Sequence, residues 1–323
     1  MSPLEICLLI GGIVLGSGLL FGVGFTFYVA WRVYSATLFR PDNEKRERKC
    51  SFPSDPEQLL MYNRGLEWAD KYAAAKREVS VESEGLKLVG EYYDFGADRA
   101  VIIIPGRTES LTYSYYFAEP YRANGFNVLV FDSRATGFSD GKYYALGGRE
   151  YRDVLKWGEL LHDKLGNSKV FLHGICIGSA TAIYTLTSEN CPAYFTGMCA
   201  DGMYKNFFET FKEHMIERNK PVFPVCYQVM LLLYINTGTR AISYGPYKAV
   251  KKLDRPILFI YTDKDIYSLP EESKKLYESC VSPKKKIVWF HKGGHSHIRI
   301  NDEEGYDREI GVFINELGED GIW

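Results

Sequence analysis

The sequence carries no excess of either charge: 39 lysines and arginines stand against 41 aspartates and glutamates, a net charge of −2. Nothing in that balance suggests a basic face for nucleic acid or another polyanion, so no nucleic-acid partner is expected. Paired cysteines are also missing. The seven, at 7, 50, 176, 191, 199, 226 and 280, show neither zinc-type nor redox-type spacing, and their number is odd. They read as reduced thiols in a cytosolic setting, mostly small core residues. There is no internal repeat, no low-complexity segment, and no motif for a metal or an organic cofactor. The 323 residues suffice for one large domain with appendages.

Charge is absent altogether from residues 6–31, a run longer than the ~20 residues that span a bilayer. A secretory signal peptide would need a basic start, a shorter apolar stretch and a small-residue cleavage site. The start, MSPLE, has no Lys or Arg, and no A-x-A pattern follows. A single-pass, uncleaved anchor over 1–34 is therefore expected. Tyr28, Trp31 and Tyr34 suit the interfacial belt, and Arg32, Arg40, Lys45, Arg46, Arg48 and Lys49 all follow on one flank. The positive-inside rule places that flank, and the domain behind it, on the cytoplasmic side of the cell membrane. Gly12 and Gly16, then Gly18 and Gly22, repeat a G-x-x-x-G spacing through which two anchors could pair as a homodimer. Glycine is also simply common in membrane helices.

Residues 35–78 read as a charged linker and a juxtamembrane helix, with Asp55 as N-cap, Pro56 at the first helical position, and an end near residue 77. Strands are expected at 79–82 and 86–93, split by Ser83-Glu84-Gly85. Buried strands at 100–104, 127–131, 169–173, 195–200, 257–261 and 286–290 then alternate with helices near 115–124, 149–165, 179–187, 271–280 and 304–317. That alternation predicts an α/β domain over 79–323 with a doubly wound, mostly parallel sheet flanked by helices. The stretch 203–253 breaks the pattern. It holds several aromatics and no obvious strand, and reads either as helices forming a lid or pocket wall, or as a crossover helix plus a surface helix.

The most specific signal is FLHGICIGS, 171–179, a G-x-C-x-G frame between a predicted strand and a predicted helix. That is the layout of a nucleophile elbow, with Cys176 at the tip and the N–H of Ile177 facing the reacting carbonyl. Gly174 and Gly178 flank it because a Cβ at either place would crowd its neighbours. Ligands in such sheets bind beyond the carboxyl ends of strands. Two more groups fall there, Asp265 in IYTDKDIYSLP and His295 in WFHKGGHSHIR, giving the order nucleophile, acid, histidine. Asp263 and Asp201 are the competing acids, although Asp201, after the preceding strand, reads rather as a helix cap or turn residue. Asp265 is preferred for lying farther past the strand and just before a proline-started helix. His291 and His297 compete with His295, which is preferred for following Gly293-Gly294. His173 reads as a hydrogen-bonded core residue.

Over residues 79–320 the sequence resembles the α/β-hydrolase superfamily. PGRTES, 105–110, is similar to its HG-type oxyanion loop, with Pro105 where histidine is usual, and FDSRATGFSDG, 131–141, is similar to its D-x-R-G-x-G-x-S-x-G segment, with Ala135 in place of glycine. The cysteine elbow resembles that of dienelactone hydrolases, and the remainder resembles bacterial membrane-anchored serine esterases and peptidase-like hydrolases. The resemblance implies a Cys176–His295–Asp265 triad, with the N–H groups of Ile177 and Arg107 as oxyanion donors. The expected substrate is a small molecule bearing an acyl ester, thioester or lactone. An acyltransferase is a variant of that reading. An inactive, membrane-tethered scaffold is its alternative, kept open by the Pro105 and Ala135 departures. The Arg107 side chain reaches solvent or, turned inward, favours a carboxylate or phosphate on the substrate.

Overall fold

The computed structural model describes residues 1–41, 46–107, 109–217 and 219–323. Lys45, one of the basic residues noted above, lies outside the described residues. Helix α1 (Pro3–Leu38) begins at a Ser2 capping box, contains the whole uncharged run and continues past residue 34 to Leu38. By length and composition it could cross a membrane. Asp55 caps α2 (Pro56–Lys71) through the N–H groups of Glu57 and Gln58. This helix stops six residues before the expected end. The reason is the hairpin β1 (Lys76–Ser83) and β2 (Leu86–Tyr93), whose ladder already pairs Lys76 with Tyr93 and Arg77 with Tyr92.

The remaining elements alternate. Strand β3 (Arg99–Ile104) leads to two short helices, α3 (Leu111–Ser114) and α4 (Glu119–Ala123). They replace the single helix expected over 115–124, because Pro120 has no N–H for a helix interior and sits in the first turn of a new one. Next come β4 (Asn127–Phe131), α5 (Glu150–Glu159), β5 (Lys169–Ile175), α6 (Ile177–Leu186) and β6 (Phe195–Asp201). The 203–253 stretch forms α7 (Phe207–Glu217), α8 (Val225–Thr237) and α9 (Pro246–Ala249). The chain closes with β7 (Ile257–Thr262), α10 (Pro270–Ser279), β8 (Lys285–Phe290), α11 (Ile298–Asn301) and α12 (Glu303–Glu319).

Strand order is β1-β2-β4-β3-β5-β6-β7-β8, antiparallel over the first two pairings and parallel from β4 onward. The parallel strands are apolar at nearly every position because helices cover both faces. Val101, Ile103, Val128 and Phe171 face Phe313 and Leu317 of α12 and Met61 and Trp68 of α2. Ile102, Leu129, Phe131 and Leu172 face Val154 and Trp157 of α5 and Ile183 of α6. A third cluster lies beyond the sheet, where Ala30, Tyr34 and Leu38 of α1 pack with Val229 and Leu233 of α8 and Ile177 and Ala180 of α6.

The linker after α1 is strapped to the domain. The Arg40 guanidinium donates to the carbonyls of Gly137 (3.1 Å), Ser139 (2.6 Å) and Gly141 (3.0 Å). Arg48 reaches Asp132 at 2.9 Å and Glu91 at 3.0 Å. Both hold the 131–141 segment, in which Ala135 stands at φ 61°, a left-handed conformation that a Cβ disfavours by ~1–2 kcal/mol. Ala135→Gly should therefore raise stability by about 1 kcal/mol, read as an upward shift of the denaturation midpoint in detergent. A lower midpoint would show that the methyl group is needed where it sits.

Candidate active site

At the end of β5 the chain turns through Cys176 at φ 54°, ψ −114°, straight into α6. Two glycines permit it. A Cβ on Gly178 would stand 2.1 Å from the Ile104 carbonyl oxygen, and one on Gly174 would stand 2.4 Å from the backbone of Ser179. Hydrogen bonds then over-determine the turn. The Cys176 N–H donates to the Asp201 carbonyl at 2.8 Å, the Ser179 N–H to the Cys176 carbonyl at 3.1 Å, and the Ser179 hydroxyl to the Gly174 carbonyl at 2.6 Å. Such constraints sustain a strained residue. Cys176 is partly exposed, and Ile177, the first residue of α6, is buried beside it. The first amides of a helix have no intrahelical acceptor, which leaves the Ile177 N–H to another partner.

The three candidate histidines separate cleanly. His295 Nδ1 lies 2.7 Å from Asp265 Oδ2, and Asp265 Oδ1 accepts the N–H groups of Tyr267 and Ser268, both at 2.7 Å. Tyr267 packs against the His295 ring, centroid to centroid at 5.1 Å. Burial disfavours the charged imidazole, but Asp265 and the Cys176 thiol outweigh it and hold the pKa well above the ordinary histidine value. His295 Nε2 is buried and has no hydrogen-bond partner among the described residues. His291 instead meets Asp263 at 2.9 Å on the surface. His297 turns to α2, with Nε2 2.9 Å from Gln58 Oε1 and Nδ1 3.1 Å from Glu57 Oε2.

Asp201 ends β6 and is fully buried, so it is neither a cap nor an exposed turn residue. It accepts the Tyr306 hydroxyl at 2.7 Å, its other oxygen has no partner among the described residues, and burial pushes its pKa up to about 6. His173 is a core residue, bonded to Tyr121 at 2.8 Å and pushed down to about 3 by burial.

The loop after β3 lies beside the elbow, since a Cβ on Gly106 would stand 3.8 Å from Cys176 Cβ. Arg107 follows, and its guanidinium donates to the Thr37 carbonyl in the last turn of α1 at 3.4 Å. That contact holds its half-buried side chain against the end of α1. A groove of about 640 Å3 runs between the end of α1 and this loop, lined by Leu38, Arg40, Arg107 and Tyr144. A larger one, about 1170 Å3, lies between α5, α6 and the 203–253 helices. Neither is lined by Cys176, Asp265 or His295.

With this geometry in hand, residues 99–219 match the family model described as alpha/beta hydrolase fold. The chain has the α/β-hydrolase fold. A Pyrococcus furiosus esterase is similar in structure, with TM-score 0.64, 22% identity, and 77% of this chain and 93% of that one covered. A Pyrococcus horikoshii acylaminoacyl peptidase is similar at TM-score 0.57 and 15% identity, over 75% of this chain and 41% of that one. In sequence, an uncharacterized Bacillus subtilis protein, YqkD, is 25% identical over 68% of this chain and 72% of its own. A Saccharomyces cerevisiae protein described as an uncharacterized membrane protein is 27% identical over 61% of this chain and 64% of its own. These α/β-hydrolase likenesses leave residue roles to the chemistry.

Sequence reading missed one residue beside this candidate site. Glu109 is buried under the loop, where it accepts the Gly106 N–H at 3.1 Å and Gln58 Nε2 at 3.0 Å. No spacing marks it, because α2 reaches it from 51 residues upstream. Burial pushes its pKa up to about 7, against the hydrogen bonds from Gln58 and Gly106 and the charges of His295 and Arg107. A raised carboxyl contributes stability that is complete below its ordinary pKa of 4.5 and is lost as pH rises through about 7. Glu109→Gln cannot ionise. Relative to wild type it should gain on the order of 1–3 kcal/mol between about pH 5 and about pH 8, measured by denaturation at both values. A pH-independent difference would show that Glu109 does not titrate in this window.

Proposed function

We propose that this protein is an acyl hydrolase, acting on an ester, thioester or lactone through Cys176, His295 and Asp265. The observation that carries the reading is the Asp265–His295 pair, whose Nε2 has no other hydrogen-bond partner among the described residues and whose ring is already influenced by Cys176. A thiol needs a base to become a nucleophile, and a carboxylate on the far nitrogen fixes the tautomer and steadies the imidazolium. Cys176 gives its proton to His295 Nε2 as Sγ bonds to the acyl carbon. The negative charge moves onto the carbonyl oxygen, toward the N–H groups of Ile177 and Arg107. The C–O or C–S bond then breaks, His295 returns the proton to the leaving alcohol or thiol, and water repeats the sequence to free the acid.

Hydrolases among the structural neighbours support the general class. The long apolar α1, and a yeast relative described as a membrane protein, support a single-pass anchor. The basic flank supports a cytoplasmic domain. Protease added to sealed cells should then leave the domain intact, and cleavage would reverse that orientation.

On a panel of acyl esters and thioesters, Cys176→Ala should abolish turnover, with a substrate acyl group trapped on the Cys176 peptide of the wild type. Asp265→Asn should lower kcat by ~100-fold or more while Asp263→Asn changes it little. Full activity in Cys176→Ala would sink the mechanism. Absence of turnover on every acyl substrate, with slow and unselective alkylation of Cys176, would favour a scaffold that keeps the fold without the chemistry.

A further inference from the structure

Helix α8 has a surface that a domain in water has no use for. No charged residue occurs between Pro221 and Thr239. One face of the helix is buried through Val225, Val229 and Leu233, while Tyr227, Leu231, Tyr234 and Ile235 recur at helical spacing on the other and are exposed, as is Phe223 just before them. The helix has 13 residues, too few to cross a bilayer.

Its position supplies the occupant of that face. Gln228 Nε2 donates to Thr26 Oγ1 at 2.9 Å, and Thr26 lies within the uncharged run of α1, six residues before Arg32. At 1.5 Å of rise per residue, Thr26 sits about 9 Å to the apolar side of the first cation on the flank. A helix fixed at that depth, apolar on the face it buries and on the face it leaves open, suits a position at the boundary between headgroups and acyl chains. The exposed apolar surface of α1 continues beside it. Beneath α8 the same apolar cluster includes Ile177 and is bordered by Cys176.

We propose that α8 seats in the bilayer surface beside α1, and that the substrate is an acyl-bearing amphiphile resident in that bilayer, its chain reaching Cys176 through the α1–α8 cluster. The second half of this proposal rests on the acyl-hydrolase reading. Such a site takes its substrate laterally and discriminates for long acyl chains, because each added CH2 gains apolar burial among the side chains of that cluster.

The full chain is tested in phosphatidylcholine vesicles containing a phosphatidylcholine with a diazirine in its acyl chain. Irradiation should leave lipid adducts on the peptide covering 223–235, with none on α10. Leu231→Glu combined with Ile235→Glu alters only exposed positions and should remove those adducts. The same variant should lose about tenfold in turnover of a vesicle-borne palmitoyl thioester while keeping turnover of soluble p-nitrophenyl acetate. Absence of adducts on 223–235 overturns the seating of α8. Equal losses on both substrates, or none on either, overturn the lipid substrate. If neither substrate is cleaved, the acyl-hydrolase reading fails, and the substrate half with it, while the adducts still decide where α8 lies.

Discussion

Two backbones touch at the elbow, and the site is organised by that contact. Helix α6 comes so close to the end of β3 that a side chain on Gly178 would collide with the Ile104 carbonyl. The loop that follows β3 is thereby held against the turn that carries Cys176. The end of β6 joins them, because the Asp201 carbonyl accepts the Cys176 amide and the Ser179 hydroxyl. Three strand ends thus share one small region. A strained residue costs roughly 1–3 kcal/mol, and it persists here because none of its neighbours can relax alone.

Charge is then distributed among three buried carboxyl groups around one imidazole. Asp265 alone is met by two backbone N–H groups and by the ring itself. Asp201 has one oxygen without a partner among the described residues, and Glu109 has one amide and one side-chain donor. Burial accordingly raises the pKa of Asp201 and Glu109. Amides that point at a carboxylate replace water, and Asp265 has two of them. That leaves Asp265 as the group fitted to face a positive ring.

Much of this was legible in the chain. Continuous apolar runs located the buried strands, and of the residues picked at the strand ends, Asp265 and His295 meet at 2.7 Å. What escaped the sequence depended on partners remote in it. The end of α2 was set by the β1–β2 ladder and not by helix propensity. The helix over 115–124 was interrupted at Pro120, a local signal that was present and underweighted. Glu109 and Gln58 gained their roles only from the docking of α2, and Arg40 and Arg48 looked like an ordinary basic flank until the 131–141 segment came to meet them.

That last contact has a mechanical consequence. Helix α1 is gripped along its side by α8, at its end by Arg40 and the Phe39–Tyr143 bridge, and beyond it by Arg48. Among the described residues, helix and domain are joined by packing and hydrogen bonds on several sides. In the anchored state proposed above, a bilayer thinner than the apolar run is accommodated by tilting the helix. With the joint locked, such a tilt leans the whole domain, bringing the mouth of its groove nearer to the lipid surface or lifting it away. Under the proposed anchoring, membrane thickness thereby becomes an input to the protein's orientation.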